Sequence, residues 1–222
     1  MLPNAKDWFR VLFRGDEILR INCAAARLVP LRIRALRSSD VDACLAIYKS
    51  NEANRFPPGY YGVYNEYLTS GRSLVLVVEK DSRVVATGGI VIFRSGRTEV
   101  PMLSFGMVLP DYQRQGIGTT LFLARLSLLP QTRDKWYVCM TSVGGSDSFY
   151  RRYGFKFAMD TNGERGDRLP LYRMVLFRND LNKIKGMLVE RNIQIENNGH
   201  QVPTVDVAES EKHPVKPPAA SS

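Results

Sequence analysis

Between residues 31 and 178 the apolar positions switch between a period of two and a period near 3.6. Leu31-Arg-Ile-Arg-Ala-Leu-Arg37 alternates apolar and basic side chains, the pattern of a half-buried strand. Ser39-Asp-Val-Asp42 then offers a capping-box-like start for a helix with Val41, Cys44, Leu45, Ile47 and Tyr48 on its apolar side. Residues 51–72 are polar and aromatic, with Pro57-Pro58-Gly59 as a breaker and a short helix predicted from Tyr61 to Leu68. Two β-rich runs, Ser73 to Glu79 and Val84 to Phe93, flank Lys80-Asp-Ser-Arg83 and predict a hairpin. A third run, Val100 to Leu109, stops at Pro110, which has no N–H for a ladder.

A helix is predicted from Gly116 to Leu129, its apolar face formed by Leu121, Phe122, Ala124, Arg125, Leu126 and Leu128. Strands at Trp136–Thr141, Phe155–Met159 and Leu169–Phe177 follow, with a short helix over Ser146–Tyr153 and a last one over Leu181–Arg191. The order predicts an α/β (α+β) domain over 31–178, strands outnumbering helices. Trp8, Phe9, Leu12 and Phe13 suggest a short amphipathic segment in the first thirty residues. Asp7, Asp16 and Glu17 break the acid-poor signature of a transit peptide, so residues 1–30 are read as an extension docked on the domain. Residues 179–191 form a C-terminal helix in this reading. Beyond Asn192 hardly any large apolar residue remains, and 192–222 is expected to be a disordered tail.

Composition narrows the chemistry. The longest mostly apolar stretch, Val84 to Phe93, is far short of the roughly 20 residues that cross a bilayer. Both histidines, His200 and His213, fall in the tail, which excludes Ser-His-Asp, Cys-His and His-zinc sites from the domain. Cys23, Cys44 and Cys139 are odd in number and lack CxxC spacing, as expected of core thiols in a cytoplasmic protein. The net charge is +9, and from Asp180 onward five basic residues meet six acidic ones, so the excess lies on the body. Charge alone admits nucleic acid, an acidic membrane surface or a phosphorylated small molecule. No zinc-finger spacing or RNP-like motif supports nucleic acid.

Two motifs carry the functional reading. In Pro110-Asp-Tyr-Gln-Arg-Gln-Gly-Ile-Gly-Thr119 a strand end, a turn with Gln113-x-x-Gly116-x-Gly118 and an apolar helix follow one another. Helix N–H groups without intrahelical acceptors, the helix dipole and small residues together suit a pyrophosphate. Phe149-Tyr-Arg-Arg-Tyr-Gly-Phe155 places Tyr150 one turn before a glycine that can cap a short helix.

Together the motifs resemble the GNAT superfamily of acetyl-CoA-dependent N-acetyltransferases. The resemblance implies a mixed, mostly antiparallel sheet of about seven strands with flanking helices, and acetyl-CoA as co-substrate with no metal. It implies that Gly106, Met107 and Val108 hold the pantetheine arm through backbone groups, with the Val108 N–H polarising the thioester carbonyl. Gln113, Arg114, Gln115, Gly116, Ile117, Gly118 and Thr119 would form the pyrophosphate loop, Arg114 and the Thr119 hydroxyl adding contacts. Tyr150 would protonate the departing thiolate.

The chain also departs from the family's pattern. The glutamate base of some members falls on Met102, that of others on Val138, and a common asparagine on Val143. Glu99, Glu52, Glu66 or a water chain past Ser104 remain as bases, and the segment from Tyr60 to Tyr67 occupies the place of the acceptor-site helix. The expected activity is direct acetyl transfer to the primary amine of a small molecule or peptide. The alternative is a GNAT-fold module that senses acyl-CoA without turnover. No membrane span is expected, and a homodimer is left open.

Overall fold

Apolar strands alternate with turns so closely here that neighbouring strands pair in sequence order over most of one sheet. The computed structural model describes residues 20–56, 59–162 and 168–207. In chain order the elements are β1 (Arg32–Ala35), α1 (Val41–Arg55), α2 (Tyr60–Thr69), β2 (Leu74–Lys80), β3 (Arg83–Ser95), β4 (Thr98–Val108), α3 (Ile117–Ser127), β5 (Lys135–Thr141), α4 (Asp147–Arg151), β6 (Lys156–Asn162), β7 (Arg168–Phe177), α5 (Arg178–Glu190), β8 (Gln194–Glu196) and β9 (Thr204–Asp206). The strand order is β6-β7-β5-β4-β3-β2-β1-β8, with β9 also paired to β3. Neighbours are antiparallel except at β4–β5, β1–β8 and β3–β9. The expected sheet of about seven strands thus has nine among the described residues.

Two apolar layers sandwich the sheet. On one face α3 and α5 bury Leu121, Phe122, Leu126, Leu181, Ile184 and Leu188 against Ile33, Leu76, Ile90 and Leu103. On the other, Cys44, Ile47, Tyr48, Val63, Tyr64 and Leu68 of α1 and α2 pack on Val75, Val77 and Met107. The hairpin predicted at Lys80-Asp-Ser-Arg83 is present, and Asp81 and Ser82 both have positive φ, as a type I′ turn requires.

The capping box predicted at Ser39–Asp42 is displaced. A 3-10 turn at Ser38–Asp40 precedes α1, and the carboxylate that accepts a backbone N–H is that of Asp40, from Arg37 at 2.7 Å.

The expected disorder from residue 192 onward does not hold for 193–207. Ile193, Val202 and Val207 are buried. β8 pairs with Arg32–Arg34 of β1, and β9 with Ile92–Arg94 of β3, beyond the point where β2 begins opposite Ile90. Open strand edges supply hydrogen-bond partners that composition cannot register. The segments around Trp8, at Pro57-Pro58 and from residue 208 onward lie outside the described residues. Arg20 and Asn22 do dock, through a bridge to Val175 and a hydrogen bond to the Tyr153 carbonyl.

Candidate active site

Strands β4 and β5 begin side by side and then part. Their pairing covers only Met102 with Cys139 and Leu103 with Met140, after which β5 stops at Thr141 while β4 runs on to Val108. The outer edge of β4 from Ser104 onward therefore has no strand beside it. Leu109 donates to the Val85 carbonyl on the β3 side, and the alternation of an antiparallel ladder turns the Val108 N–H and carbonyl toward that open edge. The Val108 carbonyl accepts from the Asn51 and Gln113 side-chain amides, at 3.2 and 3.0 Å.

A bulge shapes the same stretch. Register against β3 shifts between Thr87 and Gly89, so that Phe105 and Gly106 face a single residue, and Phe105 adopts φ 46°. A non-glycine residue held there stores on the order of 1–3 kcal/mol. Its ring is fixed by Tyr67 and Tyr64, with centroids 4.7 and 4.8 Å away. Gly106 itself is exposed, although it lies in the middle of the sheet.

Below the strand end, α3 begins on Gly116 at φ 87°. The Thr120 N–H already reaches the Gly116 carbonyl, which leaves the N–H groups of Ile117, Gly118 and Thr119 without intrahelical acceptors. The two glycines differ in kind. A Cβ on Gly116 would lie 2.8 Å from the Arg27 carbonyl oxygen, so backbone shape and space both demand glycine. A Cβ on Gly118 would lie 3.6 Å from Val108 and 3.8 Å from Phe149, ordinary contact distances, so the fold itself has room for a side chain there.

Tyr150, on α4, completes the convergence. Phe122, Phe149 and Phe155 meet its ring edge-to-face with centroids at 5.8, 4.9 and 5.6 Å. Its hydroxyl has no hydrogen-bond partner among the described residues and lies 2.9 Å from where a Gly106 Cβ would stand.

Sequence comparison agrees with this arrangement. The acetyltransferase (GNAT) domain family matches residues 71–157, which span the bulge, the Gly116 turn and Tyr150. Those residues form a GNAT domain. The fold is similar to an aminoglycoside N(6′)-acetyltransferase from Legionella pneumophila (TM-score 0.53, 13% identity, covering 72% of this chain and 98% of that one). It is also similar to a GNAT-family structure from Desulfovibrio desulfuricans (0.52, 17%, 65% and 98%) and to a GCN5-related N-acetyltransferase from Rhodopseudomonas palustris (0.50, 16%, 68% and 98%). At such identities the likeness establishes the fold. No protein of curated function matches the sequence.

Within the GNAT domain, the residues expected at the site divide by what their side chains do. Gly106, Val108 and Tyr150 meet at the wedge, whereas Met107 buries its side chain under α1 and α2. Ile117 is core, and the Thr119 hydroxyl is shared with the Tyr153 hydroxyl at 2.8 Å, so both have only backbone N–H groups to offer a ligand. Gln113 is turned inward to Asn51 and Val108, and Gln115 is held by the Asp111 carbonyl and Lys80. Arg114 is exposed at φ 59°.

The candidate bases separate as clearly. Glu99 is paired with Arg94 and Arg133 at the far end of β4, nine residues or roughly 30 Å from Val108. Glu66 is exposed on α2, while Glu52 is half-buried on α1 next to Asn51. Met102 and Val138 are buried in the core. Tyr60 and Tyr64 are buried as well, and Tyr61 already carries Lys49 Nζ over its ring at 5.1 Å, so this segment packs the sheet.

The three cysteines are free and buried, and burial pushes each thiol up, Cys44 to about 11. None is poised as a thiolate nucleophile. A cavity of about 440 Å³ lined by Arg97, Glu99, Arg133, Lys135 and Arg178 lies at the far end of β4, away from Tyr150. Asn51 and Arg125 are the site residues that sequence reading missed. Asn51 has no motif, whereas Arg125 stands out as a charge within an apolar helix face.

Proposed function

We propose that this protein transfers an acetyl group from acetyl-CoA to a primary amine, directly, within a ternary complex. The observation that carries the reading is the open edge of β4, where the Val108 N–H, the α3 N-terminus and the Tyr150 hydroxyl converge. The Ile117, Gly118 and Thr119 N–H groups would receive the pyrophosphate at the positive end of the helix. The Val108 N–H would donate to the thioester carbonyl oxygen, where negative charge grows as the amine attacks. As the carbon–sulfur bond breaks, the Tyr150 hydroxyl would donate its proton to the departing sulfur, which leaves as the CoA thiol. The amine's own proton leaves to solvent or to Glu52, the carboxylate on the turn that touches Val108.

Buried Met102 and Val138 favour a second reading, a domain that binds acyl-CoA without turnover. Incubation with acetyl-CoA and a panel of amines, read by thiol release and product mass, separates the two. Release above the no-acceptor background selects the transferase. Binding of acetyl-CoA with no turnover on any amine selects the sensing module.

The two glycines give an independent check. Gly118→Val should weaken acetyl-CoA binding by about tenfold or more through lost charge-assisted hydrogen bonds, with little change in Tm. Gly116→Ala should instead lower Tm, because both φ and the Arg27 carbonyl oppose a Cβ. Normal binding by folded Gly118→Val would show that the loop is structural.

A further inference from the structure

Part of the basic excess of the body gathers in a hollow that the proposed chemistry does not use. The cavity of about 440 Å³ at the far end of β4 opens where the β3–β4 turn, the connection from α3 to β5 and the first residue of α5 meet. Four cations, Arg97, Arg133, Lys135 and Arg178, line it together with two carboxylates, Glu99 and Asp134. Its size falls in the range of roughly 300–1,000 Å³ that small-ligand sites occupy.

The two carboxylates leave most of that positive charge available. Glu99, 16% exposed, gives one oxygen to Arg133 Nη2 at 2.6 Å and the other to Arg94 at 2.8 Å, so its charge is spent within the wall. Arg133 also lies over the Trp136 ring at 5.1 Å, which fixes its fork, and its Nε and Nη1 donate to no described residue. Asp134 is 92% exposed and meets Arg178 Nη2 at 2.9 Å; a pair so open to water holds its partner weakly. Arg97 and Lys135 have no carboxylate partner among the described residues, and Lys135 Nζ rests over the Tyr137 ring at 5.3 Å. Arginine forks match the spacing of phosphate oxygens, and a lysine adds a point charge. A hollow ringed in this way suits a compact anion, whereas a nucleic-acid strand needs a basic groove that follows its backbone.

We propose that this cavity binds a compact polyphosphorylated anion, at a site separate from the open edge of β4. It lies at the opposite end of that strand, roughly 30 Å from Val108, and its occupancy does not depend on the acetyl-transfer reading.

Titration calorimetry of the full chain with tripolyphosphate, without and with saturating CoA, tests it. One saturable site should be present and should persist when CoA is added. Joint replacement Arg97→Gln and Lys135→Gln should weaken binding by about tenfold or more, the scale of a lost charge-assisted hydrogen bond. Both side chains are exposed, so the fold tolerates their loss. Joint replacement Lys49→Gln and Arg191→Gln removes the same charge from exposed positions on α1 and just past α5, and should leave the affinity within about twofold. Equal weakening by the two pairs overturns the proposal, since it shows attraction to a basic surface at large. Absence of saturable binding overturns it as well, and so does complete displacement by CoA, which denies a separate site. Citrate, a compact anion without phosphate, should bind at least about tenfold more weakly, and equal affinity overturns the phosphate assignment. A single-stranded oligonucleotide that displaces tripolyphosphate at a lower phosphate concentration overturns the compact class in favour of a nucleic-acid surface.

Discussion

Tyr150→Phe is expected to lower kcat on an amine acceptor by at least about tenfold, with acetyl-CoA affinity held within a few-fold. The ring makes the packing contacts, to Phe122, Phe149 and Phe155, and phenylalanine keeps them. Only the hydroxyl is lost, and it sits beside Gly106 with no hydrogen-bond partner among the described residues. General acids contribute typically about 10²- to 10⁴-fold, and a thiolate, already a fair leaving group, draws on the low end of that range. The loss should shrink for donors whose thiol has a lower pKa, since these depart with less help. Steady-state kinetics with two such donors measures this, and an unchanged kcat removes Tyr150 from the mechanism.

Asp40→Ala is expected to destabilise the fold by about 3–5 kcal/mol, the range for removing one partner of a buried ion pair. Arg34 Nη1 and Nη2 meet the two Asp40 oxygens at 2.6 and 2.9 Å, and Nη2 also reaches Glu79 at 2.7 Å. The Arg34 and Asp40 side chains are 4% and 7% exposed. Loss of the Asp40 carboxylate leaves a buried guanidinium with Glu79 as its one carboxylate beside the Ala35 carbonyl, and uncaps the Arg37 N–H at the entry to α1. For a domain of this size about 2–4 °C of Tm accompanies each kcal/mol, so a drop of the order of 10 °C should appear in thermal melts.

The same network fixes an acid limit. Hydrogen bonding to Arg34 holds the Asp40 and Glu79 carboxyls below their ordinary range. Between the lowered folded values and the unfolded ones near 4, the unfolded chain binds more protons, so stability rises with pH across that window. This contribution is fully present above the unfolded values and is lost as pH falls through the folded ones. Unfolding in urea from pH 6 down to pH 3 should show that loss in the unmodified protein and a flatter profile in Asp40→Ala. Identical profiles would show that the pair does not govern acid stability.

Local pattern was enough for most of the elements. A period-two run marked β1, apolar β-rich runs marked β2 to β5, the 3.6 period marked α3, and glycine and proline marked where several of them had to stop, because these cues depend on backbone and burial preferences within about ten residues. The two glycine motifs were legible for the same reason. The chain itself thus determined an α/β domain, a helix N-terminus prepared for an anion, and Tyr150 one turn before a capping glycine. Tertiary structure decided the rest. Of the basic residues alternating through Leu31–Arg37, Arg34 is the one enclosed, because β2 and the turn before α1 bring Glu79 and Asp40 to it from sequence separations of 45 and 6. Residues 194–196 and 204–206 became strands because β1 and β3 left open edges, which no reading of their own composition could reveal. The role of Arg125 was decided in the same way. Along the chain it interrupts an apolar helix face, and only the packing of α3 on the sheet gives its guanidinium the Gly89 and Ser104 carbonyls as partners, since burial and partnership are properties of neighbours in space.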